Sequence, residues 1–264
     1  MKPEKIKDIK LYLFDMDGTL YLGEQLYDFT KELLSKIRQV GSDYMFMTNN
    51  SSKSVVDYIK KLDRLGIEAE EKDFITSSQA TAWYLEKHHK NAVLYVCGTR
   101  SLIEELEKSG FEVTDDTSRA EVIVIGNDTE LTFKKLHDIC YMLLTRDMPY
   151  IATNPDYVCP TEFGSVPDCG SFCDMIYNST KKRPIFIGKP EPLMPSLAME
   201  KRGVKGEQTA VVGDRIYTDI KSGINAGAVS ILVMSGETTY DILEQSPDKP
   251  DLVLADGGEI IKYL

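Results

Sequence analysis

The stretch Lys10-Leu11-Tyr12-Leu13-Phe14-Asp15-Met16-Asp17-Gly18-Thr19-Leu20 narrows the folds open to this chain more than any other. An unbroken apolar run that stops abruptly at polar residues and glycine fits a strand covered on both faces, as in a parallel sheet, whose carboxyl end opens into a loop. In doubly wound sheets that end is where ligands bind. The chain turns at Gly18, so Asp15 and Asp17 can both aim into such a crevice from slightly different heights. Two carboxylates in one small site repel each other unless a cation joins them or one keeps its proton.

The rest of the chain repeats the pattern of strand and helix. Apolar residues at Leu33, Leu34, Ile37 and Val40 have helical spacing, and Gly41 follows as a stop. Asp43 to Met47 reads as a second strand, ending in Thr48-Asn49-Asn50-Ser51-Ser52 before a helix from about Ser54 to Leu65. A hydroxyl and amides at a strand end, leading into a helix N-terminus, make a natural cradle for phosphoryl oxygens. Further alternation covers Gln79 to Thr153, with strands at Ala92 to Cys97, Glu121 to Ile125 and Tyr150 to Thr153, and helices at Ser101 to Lys108 and Leu131 to Leu144. Asn154 to Cys173 is rich in Pro, Gly, Asp and Ser and reads as an irregular functional stretch before a helix from about Phe172 to Thr180. Pro184 to Ile187 is a strand that ends in Gly188-Lys189-Pro190, and Gln208 to Val212 is one that ends in Gly213-Asp214-Arg215-Ile216-Tyr217-Thr218-Asp219. A helix at Ile220 to Ala226, strands at Val229 to Met234 and Leu252 to Leu254, and a closing helix around Ile260 complete the expected elements.

The fold class expected is therefore α/β, with a doubly wound, mainly parallel Rossmann-like core. Asp15 and Thr48 stand about 30 residues apart, room for one loop and one helix, whereas Thr48 and Lys189 stand about 140 apart, far beyond one strand-helix unit. The excess is an inserted domain. The expected division is core at 1–78, an α/β insertion at 79–182, and core again at 183–264.

Composition limits the partners. With 42% hydrophobic and 28% charged residues the 264-residue chain is an ordinary globular protein, and its net charge of -11 speaks against nucleic acid or an anionic membrane as partner. Such a protein must gather positive charge locally to hold an anionic substrate. Five cysteines, an odd number without a dense framework, read as reduced thiols in a cytoplasmic protein, and Cys159, Cys169 and Cys173 lack the CxxC or histidine company of a zinc site. The stretch Met1 to Lys7 has no apolar core of a leader behind it, and no run approaches transmembrane length.

Four strand ends thus carry Asp15 with Asp17, Thr48 with Asn49, Lys189, and Asp214 with Asp219. Oxygens from Asp15, Asp17 and Asp214 suit a small hard cation such as Mg²⁺, which bridges readily to phosphate. Lys189 adds fixed positive charge, Thr48 and Asn49 can bind phosphoryl oxygens, and one carboxylate is left to attack phosphorus.

In these motifs, taken together and in this order, the sequence resembles the haloacid dehalogenase (HAD) superfamily of aspartate-nucleophile phosphatases, specifically its NagD-like branch with 4-nitrophenylphosphatases and sugar or nucleotide phosphatases. The resemblance implies that Asp15 forms an aspartyl-phosphate and that Asp17 protonates the leaving oxygen and then activates water. It implies Mg²⁺ on the carboxylates of Asp15 and Asp214 and the backbone carbonyl of Asp17, with Asp219 ordering metal-bound water. Thr48 and Asn49 would bind the phosphoryl group, and Lys189 would neutralise it. The insertion resembles a C2-type cap, with Asn154 to Ser171 as its candidate substrate contact. There Pro167-Asp168-Cys169-Gly170 departs from the Pro-Gly-x-Gly of many relatives, so no relative's substrate is carried over. The expected activity is Mg-dependent hydrolysis of a small phosphorylated metabolite, and the resemblance implies a homodimer paired through the cap as an assembly open to the chain. A phosphotransferase using the same intermediate, or a non-enzymatic phospho-accepting module, are the alternatives.

Overall fold

The computed structural model describes residues 3–161 and 163–264. Met1 and Lys2, part of the stretch read for a leader, and Glu162, within the Asn154 to Ser171 stretch, lie outside the described residues. The chain divides into two compact units. The first comprises Met1–Thr48, Ile59–Ile75 and Lys189–Leu264, and the second Asn49–Tyr58 and Thr76–Gly188.

The first unit is built on a six-stranded sheet in the spatial order Leu252–Leu254, Val229–Val233, Thr209–Gly213, Leu11–Phe14, Asp43–Thr48, Phe74–Thr76. Leu11–Phe14 lies inside the sheet, parallel to both Thr209–Gly213 and Asp43–Thr48, with Leu11 level with Thr209 and with Asp43. All four of its side chains are buried. Each such side chain contributes roughly 1.5–3 kcal/mol by leaving water. That burial on both faces explains why the segment is an unbroken apolar run and not an alternating one. The strand order steps outward from Leu11–Phe14 in both directions, so the switch point of the sheet falls where Asp15 emerges.

The second unit carries its own five-stranded sheet, ordered Ile185–Phe186, Tyr150–Ala152, Val122–Ile125, Val93–Cys97, Glu112–Val113, every pair parallel. Cys97, Ile123, Ile125, Ile139, Met142, Tyr150, Cys169, Cys173 and Ile176 fill its core. The structure assigns a mainly parallel α/β architecture with a Rossmann-like core, as the sequence predicts.

Two elements differ from expectation. Asn154 to Ser171 is not irregular throughout, because Val158–Thr161 and Gly164–Pro167 pair antiparallel as a hairpin. Pro160 and Pro167 conceal it in the sequence, yet a two-stranded ribbon outside any larger sheet tolerates their missing N–H groups. The following helix starts at Cys169, three residues early, capped by the Asp168 carboxylate on the Cys169 N–H. Gly170 in its first turn looks like a helix breaker. A Cβ there would lie 2.2 Å from the Pro155 carbonyl oxygen, so only glycine fits. All five cysteines are free. Among the described residues no helix is long and apolar enough to cross a membrane.

Candidate active site

The loop after Leu11–Phe14 is shaped by its own backbone. The Asp15 N–H still donates to Val212 at 2.8 Å, extending the sheet pairing by one residue, and the chain then turns so that the Gly18 N–H donates to the Tyr21 carbonyl at 2.8 Å. Gly18 has φ +84°, and a Cβ on it would lie 2.6 Å from Asp214 Oδ2. Positive φ and close approach both demand glycine at this point. The turn leaves Asp15 mostly covered and Asp17 outward, its side chain 46% exposed.

Lys189, three residues past the Ile185–Phe186 strand, is only 2% exposed. Its Nζ donates to Asp15 Oδ1 at 2.7 Å, Asp219 Oδ1 at 2.6 Å and the Met47 carbonyl at 3.2 Å. Asp219 lies within a turn of π-helix at Ile216–Ile220, and its second oxygen accepts the Arg215 N–H at 3.1 Å. Asp214, just past Thr209–Gly213, accepts the Glu237 N–H at 2.7 Å and the Thr19 hydroxyl at 3.5 Å, with Gly236 against its carboxylate. The structure thus gathers Asp15, Lys189, Asp214 and Asp219 at one spot, with Asp17 on the same loop and Thr48 at the end of the neighbouring strand. Thr19, Gly236 and the Glu237 backbone were not foreseen. They position Asp214 by contacts between residues distant in sequence, which local patterns do not register.

Charge is unbalanced at this spot. Oxygens of Asp15, Asp214 and Asp219 lie within 4.8 Å of one another, with the one ammonium of Lys189 set among them. Two like charges about 4 Å apart repel by about 4 kcal/mol at an effective dielectric constant near 20. Burial, with added repulsion from Asp219 and Asp214 against the pull of Lys189, pushes the Asp15 carboxyl up to about 8. Burial and Asp219 push Asp214 up to about 6. Burial works against the Lys189 ammonium, but Asp15 and Asp219 outweigh it and hold the proton more firmly. An oxygen-rich donor set with excess negative charge fits a hard divalent cation. Such an ion would relieve the repulsion.

Asn49 belongs to the second unit. Its Nδ2 donates to Asp156 Oδ2 at 2.7 Å, and its carbonyl accepts the Ser77 hydroxyl at 2.6 Å. Asp156 also accepts from Asn154 at 2.8 Å, and Asn154 donates to Asp168 at 3.2 Å. Thr153 donates to Asn154 at 2.8 Å and lies 2.9 Å from the Ser51 hydroxyl. All seven of these polar residues are buried. Asn154, Asp156 and Asp168, read from sequence as part of a substrate-contacting loop, are thus buried and hydrogen-bonded to one another, and Asp156 holds Asn49. The exposed part of that stretch includes Tyr157 and the hairpin, where Val158 and Phe163 reach solvent.

Comparison with known proteins adds the chemistry. The haloacid dehalogenase-like hydrolase profile matches residues 12–112, and a second HAD-hydrolase-like profile matches residues 186–260. The chain is 34% identical to an acid sugar phosphatase of Staphylococcus haemolyticus over 98% of each chain. It is equally 34% identical to a 5'-nucleotidase of Bacillus subtilis, over 98% of this chain and 100% of that one. Among solved structures, a 4-nitrophenylphosphatase from Thermotoga maritima superposes with a TM-score of 0.93 at 39% identity, covering 98% of both chains.

Proposed function

The chain belongs to the haloacid dehalogenase-like hydrolases and is a NagD-like phosphoric monoester hydrolase, and from that premise we propose that it hydrolyses small phosphate monoesters through an aspartyl-phosphate on Asp15, with Mg²⁺ as cofactor. The observation that carries this reading is the Lys189 ammonium held 2.7 Å from Asp15 Oδ1. It keeps a carboxylate oriented at the mouth of a sheet while offsetting the charge that would otherwise repel a phosphate dianion.

In the proposed sequence an Asp15 oxygen attacks phosphorus, the bond from phosphorus to the ester oxygen breaks, and Asp17 gives its proton to the departing alkoxide. Asp17, now a carboxylate, takes a proton from a water that attacks the same phosphorus. The acyl phosphate bond breaks, orthophosphate leaves, and Asp15 and protonated Asp17 are restored. Lys189 neutralises the phosphoryl oxygens throughout, and Thr48 and Asn49 are assigned to hydrogen-bond them. Mg²⁺, held by the carboxylates of Asp15 and Asp214 and the Asp17 backbone carbonyl with support from Asp219, would supply further positive charge against those oxygens.

Substrates of the sugar phosphate, nucleotide and 4-nitrophenyl phosphate type are supported by the names of the relatives. The insertion expected at 79–182, which falls within the second unit, is the proposed source of selectivity, with the paired strands Val158–Thr161 and Gly164–Pro167 its candidate substrate contact. Five free thiols and an acidic surface suit work in the cytoplasm on a small metabolite. The test is phosphate release with Mg²⁺ across a panel of esters beginning with 4-nitrophenyl phosphate. Release that Asp15→Asn abolishes supports the reading, and phosphate passed to an added alcohol in preference to water would replace it with phosphotransfer.

A further inference from the structure

Lys61 stands where the helix pattern asks for an aliphatic side chain. In the Val55–Arg64 helix, Val55, Tyr58 and Leu62 are buried, and Lys61, one turn beyond Tyr58, is buried with them at 9% exposure, whereas Lys60, Asp63 and Arg64 are exposed. A buried ammonium is costly unless negative charge or an aromatic face meets it. Here both do. Its Nζ sits 3.9 Å from the centroid of the Tyr21 ring and 3.9 Å from Asp17 Oδ2.

Tyr21 is itself fixed by the Asp15–Thr19 loop. It is buried, its carbonyl accepts the Gly18 N–H, and its backbone forms an isolated bridge with Asp17. The ring and the carboxylate that flank Lys61 thus come from one turn of chain, and the lysine reaches them from a separate helix. Asp17 is the outward carboxylate of the site, half exposed, and the Lys61 ammonium draws on it from one fixed side. At 3.9 Å the ammonium acts on it by charge.

We propose that Lys61, seated on the Tyr21 ring, is a positioning residue for Asp17, holding its carboxyl group where it meets the leaving oxygen. This rests on the assignment of Asp17 as acid and base given above. Lys61 touches neither the substrate nor the reacting atoms in this role. Its contribution therefore belongs to proton transfer and scales with how badly the departing oxygen needs a proton. A 4-nitrophenolate leaves with little help, and a sugar or glycerol alkoxide does not. Both esters are dianions of the same charge, so a lysine that only attracted substrate or only held the fold together would affect them alike.

The test compares kcat/KM for 4-nitrophenyl phosphate and for a sugar or glycerol phosphate in full-length wild type, Lys61→Met, Lys61→Arg and Asp17→Asn. Lys61→Met is expected to lose at least roughly tenfold more on the alkyl ester than on the nitrophenyl ester, within the range that a general acid contributes. Lys61→Arg, which keeps the charge over the ring, should recover most of that loss. Asp17→Asn should show the same ester dependence more strongly. If Asp17→Asn shows it and Lys61→Met loses equally on both esters, or loses nothing, the positioning role is overturned while the assignment of Asp17 stands. If Asp17→Asn shows no ester dependence, the assignment of Asp17 falls and the inference with it. Methionine matches the lysine stem in shape, so the fold should tolerate it. Should Lys61→Met not fold, Tyr21→Leu removes the aromatic seat alone, and it must show the same bias between esters or the proposal fails.

Discussion

Gly18 and Asp214, 196 positions apart in the chain, approach so closely that a methyl group on the glycine would lie 2.6 Å from Asp214 Oδ2. The turn after the first strand and the carboxylate after a later one are thus fitted to each other. Gly18→Ala would meet both this contact and φ +84°. It should destabilise the protein by about 1–2 kcal/mol from the backbone alone. Displacement of Asp214 should lower kcat on 4-nitrophenyl phosphate by roughly a hundredfold. Thermal melting and phosphate release check the two parts separately.

Lys189→Met leaves the buried Asp15 and Asp219 carboxylates without their shared ammonium. Removing one partner of a buried pair costs about 3–5 kcal/mol. A fall in melting temperature on the order of 10 °C is expected in metal-free protein, together with loss of turnover. Added Mg²⁺ should restore part of the melting temperature and none of the activity.

Metal removal should expose the repulsion as a pH dependence. Asp15 and Asp214 titrate higher in the folded protein than in the unfolded chain, so the folded state holds more protons and loses stability as pH rises. In metal-free protein the melting temperature should fall from about pH 4 to about pH 8, spanning the raised values at about 6 and about 8. Mg²⁺ should flatten that slope. Asp214→Asn keeps an acceptor for the Glu237 N–H while deleting one charge. It should melt at or above the wild-type temperature without metal and gain little from Mg²⁺.

Asp156→Ala would take from Asn49 the acceptor of its side-chain amide. Leaving buried donors on Asn49 and Asn154 unpaired costs about 1–3 kcal/mol each. Because Asp156 holds Asn49, a proposed phosphoryl ligand, KM for phosphate esters should rise several-fold while the Mg²⁺ concentration for half-activation, set by the carboxylates proposed to hold the metal, stays put. Steady-state kinetics at varied Mg²⁺ distinguish these.

Much of the candidate site was legible because its groups follow strands, buried ones at Asp15, Thr48 and Asp214 and a short partly exposed one before Lys189. Asp15, Thr48, Lys189 and Asp214 follow apolar runs, and such junctions are visible one segment at a time. The architecture was legible for the same reason, since parallel strands covered on both faces leave continuous apolar runs. What escaped notice depends on distant partners. Gly170 reads as a helix breaker until the Pro155 carbonyl is seen beside it. Asn154 and Asp156 read as part of an irregular substrate-contacting stretch, and the partner that Asp156 meets, Asn49, lies about a hundred positions away. Nothing in the local pattern singles out Lys61, because no nearby residue shows that Tyr21 will lie beneath it.

The pairing of Leu11 with Thr209 also sets an order of events during synthesis. The Leu11–Phe14 strand of the first sheet is made before the insertion, yet its neighbour on one side emerges some two hundred residues later. At roughly 5–20 residues per second the ribosome leaves that apolar edge open for about ten seconds or more. The second sheet, whose strands all lie between Val93 and Phe186, can close within that interval. Newborn chains should therefore spend their most aggregation-prone period with the insertion already folded and the older part still waiting for its last strands.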